Sequence, residues 1–189
     1  MNLPNKLTVL RVILVPVFMA FFYLYDIIPY NFICALIVFG AAAITDALDG
    51  KIARKQNLVT DFGKLMDPLA DKVLVAAALA CFVEVGIMSA ITLVISIARE
   101  FLVSGLRLVT ASKGVVAPAG IWGKLKTAFT MGSIVIILFY CILAFNTKTI
   151  DADGILYTIS QVLIWISTVL TVVSGIVYLK AYGKHIEGK

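Results

Sequence analysis

Long apolar runs separated by short polar stretches occupy most of the chain. Each run is close to the roughly 20 residues with which an α-helix crosses the hydrocarbon core of a bilayer. Charged and turn-forming residues interrupt the runs, most clearly at 26–29, 84–86 and 146–154. The pattern therefore predicts six helices, at approximately 7–25, 31–54, 63–84, 87–110, 123–145 and 154–180.

Composition indicates that these helices lie in lipid. Of the 189 residues, 61% are hydrophobic and 14% are charged, whereas a soluble domain has about 45–50% apolar and about 25% charged residues. The mean hydropathy of +1.03 agrees. We predict an all-α, polytopic membrane protein with six transmembrane helices in a single domain, residues 1–189. The first apolar run lacks a small-residue cleavage motif, so we expect it to be retained as the first span.

Positive charge is concentrated on one side of this predicted bundle. With six spans, both termini share a side with the 2–3 and 4–5 connections. All 16 Lys and Arg residues except Lys148 belong to that side or to helix ends that reach it. Because positively charged loops stay in the cytoplasm, we predict a plasma-membrane protein with both termini cytoplasmic and residues 148–153 outside. The net charge of +5 then reflects topology and anionic lipid, and no nucleic-acid partner is expected.

Ligands for a soft metal are scarce. The three cysteines lie in separate apolar runs without CxxC spacing, and the only histidine, His185, lies in a polar tail. A zinc site rich in histidine is therefore excluded, and the cysteines are interpreted as small hydrophobic residues.

Four aspartates stand near the facing ends of helices 2 and 3. Asp46 and Asp49 are three residues apart, and Asp67 and Asp71 are four apart, so each pair shares a helix face. The short connection predicts that the two helices are antiparallel neighbours, which lets the pairs converge at one depth of the cytoplasmic half of the membrane. An aspartate at the centre of a span costs about 2.5–3.5 kcal/mol, so four of them together indicate a purpose.

Carboxylates that face each other must share protons or bind cations. Oxygen ligands without histidine or cysteine suit Mg²⁺, Ca²⁺ or Mn²⁺. The alternative is a set of solvated acids paired with neighbouring lysines and arginines, but two periodic pairs flanking one loop favour the metal site. Pro68 leaves two starts open for helix 3, either at Pro68 itself or near Asp61 with a kink.

The same segment carries a fixed pattern, D-x2-D-G-x2-A-R-x8-G-x3-D-x3-D. Its constrained positions are filled by Asp46, Asp49, Gly50, Ala53, Arg54, Gly63, Asp67 and Asp71. This pattern resembles the signature of the CDP-alcohol phosphatidyltransferases, without a departure. The resemblance covers most of the chain and implies six membrane helices, a cytoplasmic-side site and a homodimer.

The resemblance also implies roles for individual residues. Asp46, Asp49, Asp67 and Asp71 would bind two divalent ions, Mg²⁺ or Mn²⁺, and Asp71 would be the general base for the acceptor's hydroxyl. The residues expected at the CDP group are Asn5, Thr8, Asp49, Gly50, Arg54 and Gly63. A membrane site suits such a donor, because its acyl chains stay in lipid while its nucleotide reaches water.

Further segments narrow the resemblance. These segments resemble the corresponding segments of bacterial enzymes of this family that join CDP-diacylglycerol and glycerol 3-phosphate, giving phosphatidylglycerophosphate and CMP. The segments are 3–8 with Arg11, 64–72, 98–100 with Arg107, and 123–127. Inositol phosphate, phosphatidylglycerol, serine and an aminoalcohol are the alternative acceptors within the family.

Basic residues of helix 4 and the following segment predict an acceptor that carries a phosphate. Arg99 and Arg107 are eight residues apart, a little over two turns, so they lie roughly on one face. The planar fork of arginine binds two phosphate oxygens at once. Because an unpaired arginine inside an apolar run is expensive, we expect Arg99 to face the bundle interior with an acidic partner. The predicted acceptor-phosphate site consists of Arg99, Arg107, Lys113, Lys124 and Lys126. The alternative is that these residues anchor the helices at lipid phosphates.

A divalent-cation transporter is the alternative from a different class, since acids inside membranes often mark ion pathways. Its acids would be spread through the depth of the membrane. Here the four aspartates cluster at one end, and the outer halves of the helices lack polar partners for them. The sequence therefore favours an enzyme.

Overall fold

The computed structural model describes the backbone of residues 3–24, 27–56, 61–114, 118, 120–146 and 154–183. Within these ranges, the side chains of residues 3–4, 46–56, 61–68, 71 and 146 lie outside the description. The described residues form six α-helices and no strand: α1 (Leu3–Tyr23), α2 (Asn31–Gln56), α3 (Asp61–Glu84), α4 (Ala90–Ser112), α5 (Ile121–Cys141) and α6 (Ile155–Tyr182). A short π-helix, Ile142–Asn146, continues α5. The predicted all-α fold is confirmed.

Prolines lie near the starts of α1 and α3, where the observed helix boundaries are compared with the predicted ones. α1 begins at Leu3 rather than near residue 7. Pro4 fits the first turn of a helix, where no backbone N–H is needed, and the polar Asn5 is buried instead of solvated. α3 begins at Asp61, so Pro68 lies within the helix, and the earlier of the two predicted starts is confirmed.

The turn between α3 and α4 is tight. Gly86 has a φ of +74°, in the left-handed region that favours glycine. The Met88 N–H then donates to the Phe82 carbonyl at 3.0 Å, which closes the turn. Ser89 caps α4, and its side chain accepts a hydrogen bond from the second N–H of the helix at 3.3 Å. α4 consequently begins at Ala90, slightly later than predicted.

The helices pack in two groups. α1 lies against α2 and α3, and α6 lies against α4 and α5. Contacts of α2 with α5 and of α3 with α4 join the groups. α2 and α3 also touch each other, but much less than each touches α1. α1 is therefore the element that holds the two aspartate-bearing helices together.

Large apolar side chains cover the outside of the bundle. Ile91, Leu108, Ile121 and Ile155 are each at least 70% exposed. Such a surface promotes association in water, whereas it matches lipid. Within the described part of the chain, three helical segments are long and apolar enough to cross a membrane: Asn5–Tyr23, Ile121–Phe145 and Ile155–Tyr182. These features identify a membrane protein.

Candidate active site

The aspartate pairs lie on two helices that approach the same connection. Asp46 and Asp49 belong to the second half of α2, and Asp67 and Asp71 belong to the first half of α3, on either side of residues 57–60. The side chains of all four lie outside the described residues. The surroundings of three predicted nucleotide-binding residues lie outside them as well: Gly50, Arg54 and Gly63. Convergence of the four carboxylates therefore stays a prediction.

α1 contributes a polar stripe to the same half of the bundle. Asn5, Thr8 and Arg11 recur every three residues, and their exposed fractions are 8%, 0% and 0%. Because α1 packs against both α2 and α3, this stripe is buried within the aspartate-bearing half. Asn5 and Thr8 thus lie at the end of α1 where a nucleotide was predicted to bind. Contact with a nucleotide stays a prediction.

A cleft of about 580 Å³ opens between α3, α4 and α5. Its charged lining consists of one acid, Glu100, and four basic residues: Lys72, Arg99, Arg107 and Lys124. Lys72 directly follows Asp71 in α3, so the cleft begins beside the aspartate segment. An excess of basic side chains in a concave site between apolar helices attracts an anion.

Arg99 faces the interior of the bundle, as predicted, and has an acidic partner. Its side chain is 11% exposed, and its Nη1 lies 3.0 Å from Glu100 Oε1. The same carboxylate oxygen accepts a hydrogen bond from Lys126 Nζ at 2.5 Å. Lys126 is itself buried. Glu100 therefore partly neutralises two of the five residues that were predicted to hold the acceptor's phosphate.

Arg107 is oriented differently from Arg99. Its Nε donates to the hydroxyl of Tyr178 at 3.1 Å, and its Cζ lies 5.5 Å from the centre of that ring. Among the described residues, its two terminal nitrogens have no hydrogen-bond partner, and the side chain is exposed to the cleft. A guanidinium held at Nε with its outer edge open is well suited to two oxygens of one phosphate.

The remaining predicted residues divide between the cleft and other places. Lys124 lines the cleft, and its side chain is exposed. Lys126 points to Glu100 instead, at the edge of a neighbouring pocket. Lys113 lies in the turn after α4 and is not among the described residues that line the cleft. The structure thus brings Arg99, Arg107 and Lys124 together and leaves Lys113 and Lys126 out.

Sequence reasoning missed several residues that line the cleft or contact its arginines. Lys72 Nζ donates to the Ser104 hydroxyl, which in turn donates to the Glu100 carbonyl at 2.6 Å. Ser174 and Tyr178 of α6 contact the two arginines. Lys72 could have been found from the sequence, because it directly follows Asp71. The hydroxyls of α6 carry no such signal, because small polar residues are common where membrane helices pack.

An apolar groove adjoins the cleft. It lies between α3, α4 and α5, has a volume of about 130 Å³, and is lined mainly by Leu69, Val73, Val75, Ala76, Leu79, Ile97 and Phe101. Lys72, Glu100 and Thr127 line both the groove and the cleft. The two spaces therefore meet, with an apolar wall on one side and basic groups on the other. This arrangement suits an amphipathic molecule.

The sequence of this helical bundle, with its paired aspartates on two helices, matches a known family. The family model described as CDP-alcohol phosphatidyltransferase matches residues 1–173. The chain belongs to this family, and the resemblance stated from the aspartate pattern is confirmed.

Curated relatives show which branch of the family the chain is similar to. It is 37% identical over 184 residues to the CDP-diacylglycerol–glycerol-3-phosphate 3-phosphatidyltransferase of Bacillus subtilis, covering 92% of this chain and 91% of that protein. It is 43% identical over 145 residues to a protein of the same name from Pseudomonas fluorescens, covering 73% and 72%. A probable phosphatidylglycerophosphate synthase of Mycobacterium tuberculosis is 34% identical over 188 residues, covering 99% and 84%.

Proposed function

We propose that this chain transfers the phosphatidyl group of CDP-diacylglycerol to glycerol 3-phosphate, giving phosphatidylglycerophosphate and CMP. The names of the relatives support both substrates. The observation that carries the choice of acceptor is the cleft, in which Arg99, Arg107 and Lys124 lie together beside α3. A neutral acceptor would offer no negative charge to Arg107 and Lys124, whereas a phosphate would.

Two divalent ions, Mg²⁺ or Mn²⁺, would be held by the four aspartates of the pattern: Asp46, Asp49, Asp67 and Asp71. The donor set fits, because four carboxylates from two touching helices offer only hard oxygen ligands. When bound, the ions would neutralise charge on the diphosphate of the donor. Without ions, four such acids would repel each other in a membrane.

The chain's own residues would perform the transfer in two parts. In the first part, six residues bind and orient the cytidine nucleotide: Asn5, Thr8, Asp49, Gly50, Arg54 and Gly63. Asp71 accepts the proton of the acceptor's hydroxyl, whose oxygen forms a bond to the phosphorus that carries diacylglycerol. The bond from that phosphorus to the bridging oxygen breaks, and its electron pair leaves with CMP. A base of this kind must lie within hydrogen-bond reach of the hydroxyl.

The cleft would hold the acceptor by its phosphate. Arg107 offers two terminal nitrogens, and Lys72 and Lys124 add positive charge from α3 and α5. Arg99 contributes less, because Glu100 already accepts a hydrogen bond from it. Since Lys72 follows Asp71 in the chain, a phosphate bound here would lie at the level of α3 that carries Asp71. The apolar groove that meets the cleft offers a wall for an acyl chain of the donor.

The proposal includes six transmembrane helices in the plasma membrane, with both termini and the active site on the cytoplasmic side, and a homodimer. The concentration of basic residues at the termini and in the 2–3 and 4–5 connections supports this orientation. A site on the cytoplasmic side would also be accessible to a water-soluble acceptor such as glycerol 3-phosphate.

The test is an acceptor panel. Purified protein in detergent with Mg²⁺ and CDP-diacylglycerol receives glycerol 3-phosphate, inositol phosphate, phosphatidylglycerol, serine or glycerol, and CMP release is measured. Among these acceptors, we expect only glycerol 3-phosphate to give rapid release of CMP. Faster release with another acceptor would reassign the reaction within the family. Absence of release with every acceptor, from protein that is folded, would remove the proposal.

A further inference from the structure

Both arginines of the cleft are held from behind by α6, a helix that contributes no described residue to the cleft lining. Arg99 Nε donates to Ser174 Oγ at 3.1 Å, and Arg107 Nε donates to Tyr178 Oη at 3.1 Å. Ser174 and Tyr178 are four residues apart, so they lie on the same face of α6. In each case α6 engages the inner nitrogen of the guanidinium.

The hydroxyl of Ser174 is fixed as an acceptor for Arg99. Ser174 is buried, and its own proton is donated to the Thr171 carbonyl at 3.0 Å. A serine hydroxyl has one proton and two lone pairs, so the side that faces Arg99 can only accept. Next to it, a Cβ on Gly175 would lie 3.3 Å from Arg99 Cγ, so the stem of the arginine runs close along the backbone of α6.

Tyr178 holds Arg107 by two interactions from a fixed ring. The ring is buried against Val103 and Leu106, and it lies against the ring of Tyr182, tilted by 39° with ring centres 4.8 Å apart. Its hydroxyl accepts from Arg107 Nε, while its face lies 5.5 Å from Arg107 Cζ. A packed ring cannot turn freely, so it restricts the rotamers of the long arginine side chain. The terminal nitrogens of Arg107 are then presented to the cleft.

We propose that Tyr178 and Ser174 are positioning residues, which fix Arg107 and Arg99 for the phosphate of the acceptor. This inference rests on the proposed function of the cleft. Both residues lie beyond residue 173, where the match to the family model ends. α6 thereby acts on the reaction through the arginines, and Tyr178, which acts on the arginine with the open fork, has the larger effect.

The first experiment removes one oxygen atom at a time. Tyr178→Phe keeps the packed ring and removes the hydroxyl that accepts from Arg107. A hydrogen bond to a charged group contributes enough that we expect the KM for glycerol 3-phosphate to rise about five- to tenfold, with the KM for CDP-diacylglycerol unchanged. Tyr157→Phe, which removes a hydroxyl at the other end of α6, is the matched control and should change neither constant. Equal rises of both KM values for Tyr178→Phe would overturn the proposal.

Ser174 is tested in the same way. Ser174→Ala should raise the KM for glycerol 3-phosphate about two- to fivefold, a smaller change because Arg99 keeps its bond to Glu100. Ser160→Ala is the control, since Ser160 is also buried on α6 and its hydroxyl donates to the carbonyl four residues earlier. A rise for Ser160→Ala as large as that for Ser174→Ala would mean that both act on helix packing, which contradicts a positioning role.

A double-mutant cycle separates this proposal from the proposed function. If Tyr178 acts through Arg107, Tyr178→Phe should have no further effect on the KM for glycerol 3-phosphate in an Arg107→Ala background. A full further rise there would mean a structural role, and the proposal would be wrong. If Arg107→Ala raises this KM but Tyr178→Phe alone does not, only the role of α6 fails. If Arg107→Ala leaves it unchanged, the assignment of the cleft fails, and the role of α6 with it.

Discussion

The first three helices and the last three are held together by different chemistry. Between α1, α2 and α3 the core is built of phenylalanine rings: Phe18, Phe22, Phe32, Phe39 and Phe82. The rings of Phe22 and Phe32 meet edge to face with centres 4.9 Å apart. Between α4, α5 and α6, buried apolar side chains such as Ile134, Ile137 and Ile164 are accompanied by hydroxyls that reach across helices. The Thr130 and Ser167 oxygens lie 2.8 Å apart. The first half is therefore packed mainly by aromatic rings, and the second half adds polar contacts between helices to its apolar packing.

The difference corresponds to where each half carries its charge. In the first half, the ring of Phe32 lies at the start of α2, and Asp46 follows about 21 Å further along the helix. Rings and acids are thus separated along the bundle. In the second half, Arg99, Glu100 and Lys126 lie within the helix packing itself. Lipid provides no hydrophobic force between helices, so packing and hydrogen bonds must hold both halves. In the second half, hydroxyls between helices offer partners to buried charges, as Ser174 does for Arg99.

Replacing the acids of the first half should reduce activity most strongly. Replacing Asp46, Asp49, Asp67 or Asp71 singly by Asn should lower CMP release about 100- to 1,000-fold, the range for loss of one group that stabilises transition-state charge. Asp61→Asn, at the start of α3 but outside the pattern, is the matched control and should keep most activity. Chelation of divalent ions should abolish turnover of the unaltered protein. Substantial CMP release from any of the four variants, or from chelated protein, would place the chemistry elsewhere.

A second prediction concerns the buried charges of the other half. Glu100→Ala leaves Arg99 and Lys126 without their shared carboxylate, and loss of one partner from a buried ion pair costs about 3 kcal/mol. The free energy of unfolding in detergent should fall by about that amount. Glu84→Ala, an exposed glutamate at the end of α3, is the matched control and should cost less than about 0.5 kcal/mol. Equal costs for the two variants would mean that the Glu100 contacts contribute nothing.

The smallest expected effect concerns the hydroxyls between α5 and α6. Thr130→Val removes the bond to Ser167 at nearly constant volume. Hydrogen bonds between membrane helices contribute about 0.6 kcal/mol on average, so the free energy of unfolding should fall by about that much. Thr158→Val, on the exposed face of α6, should leave stability unchanged. If Thr130→Val stabilised the protein, hydroxyl contacts would not hold this half together.

Most of the fold could be predicted from the sequence because each helix is a long apolar run that ends at charge or at a turn residue. The predicted boundaries of α2, α3 and α5 are within a few residues of those observed. The start of α1 was placed too late, since the polar Asn5 looks solvated in sequence but is buried in the structure. Which helices touch could not be read from hydrophobic periodicity, because lipid-facing and buried residues are both apolar in a membrane.

The candidate site could be predicted only where residues share a helix face. Arg99 and Arg107 satisfied that condition, and both line the cleft. Lys124 and Lys126 did not, since positions two apart on a helix point about 200° apart. Only Lys124 faces the cleft, while Lys126 meets Glu100. The partners of the arginines on α6 depend on how α4 packs against α6, which one sequence does not contain.

Steady-state kinetics of Arg107→Ala test most directly whether the basic cleft binds the phosphate of glycerol 3-phosphate. The KM for glycerol 3-phosphate should rise about ten- to a hundredfold, because a charge-assisted contact to phosphate is lost. The KM for CDP-diacylglycerol should stay within about twofold, a change too small to reflect a lost hydrogen bond. Lys113→Ala removes the same charge outside the cleft and should change neither constant. Equal rises of both KM values for Arg107→Ala, or full-rate use of unphosphorylated glycerol by the unaltered protein, would contradict this role of the cleft.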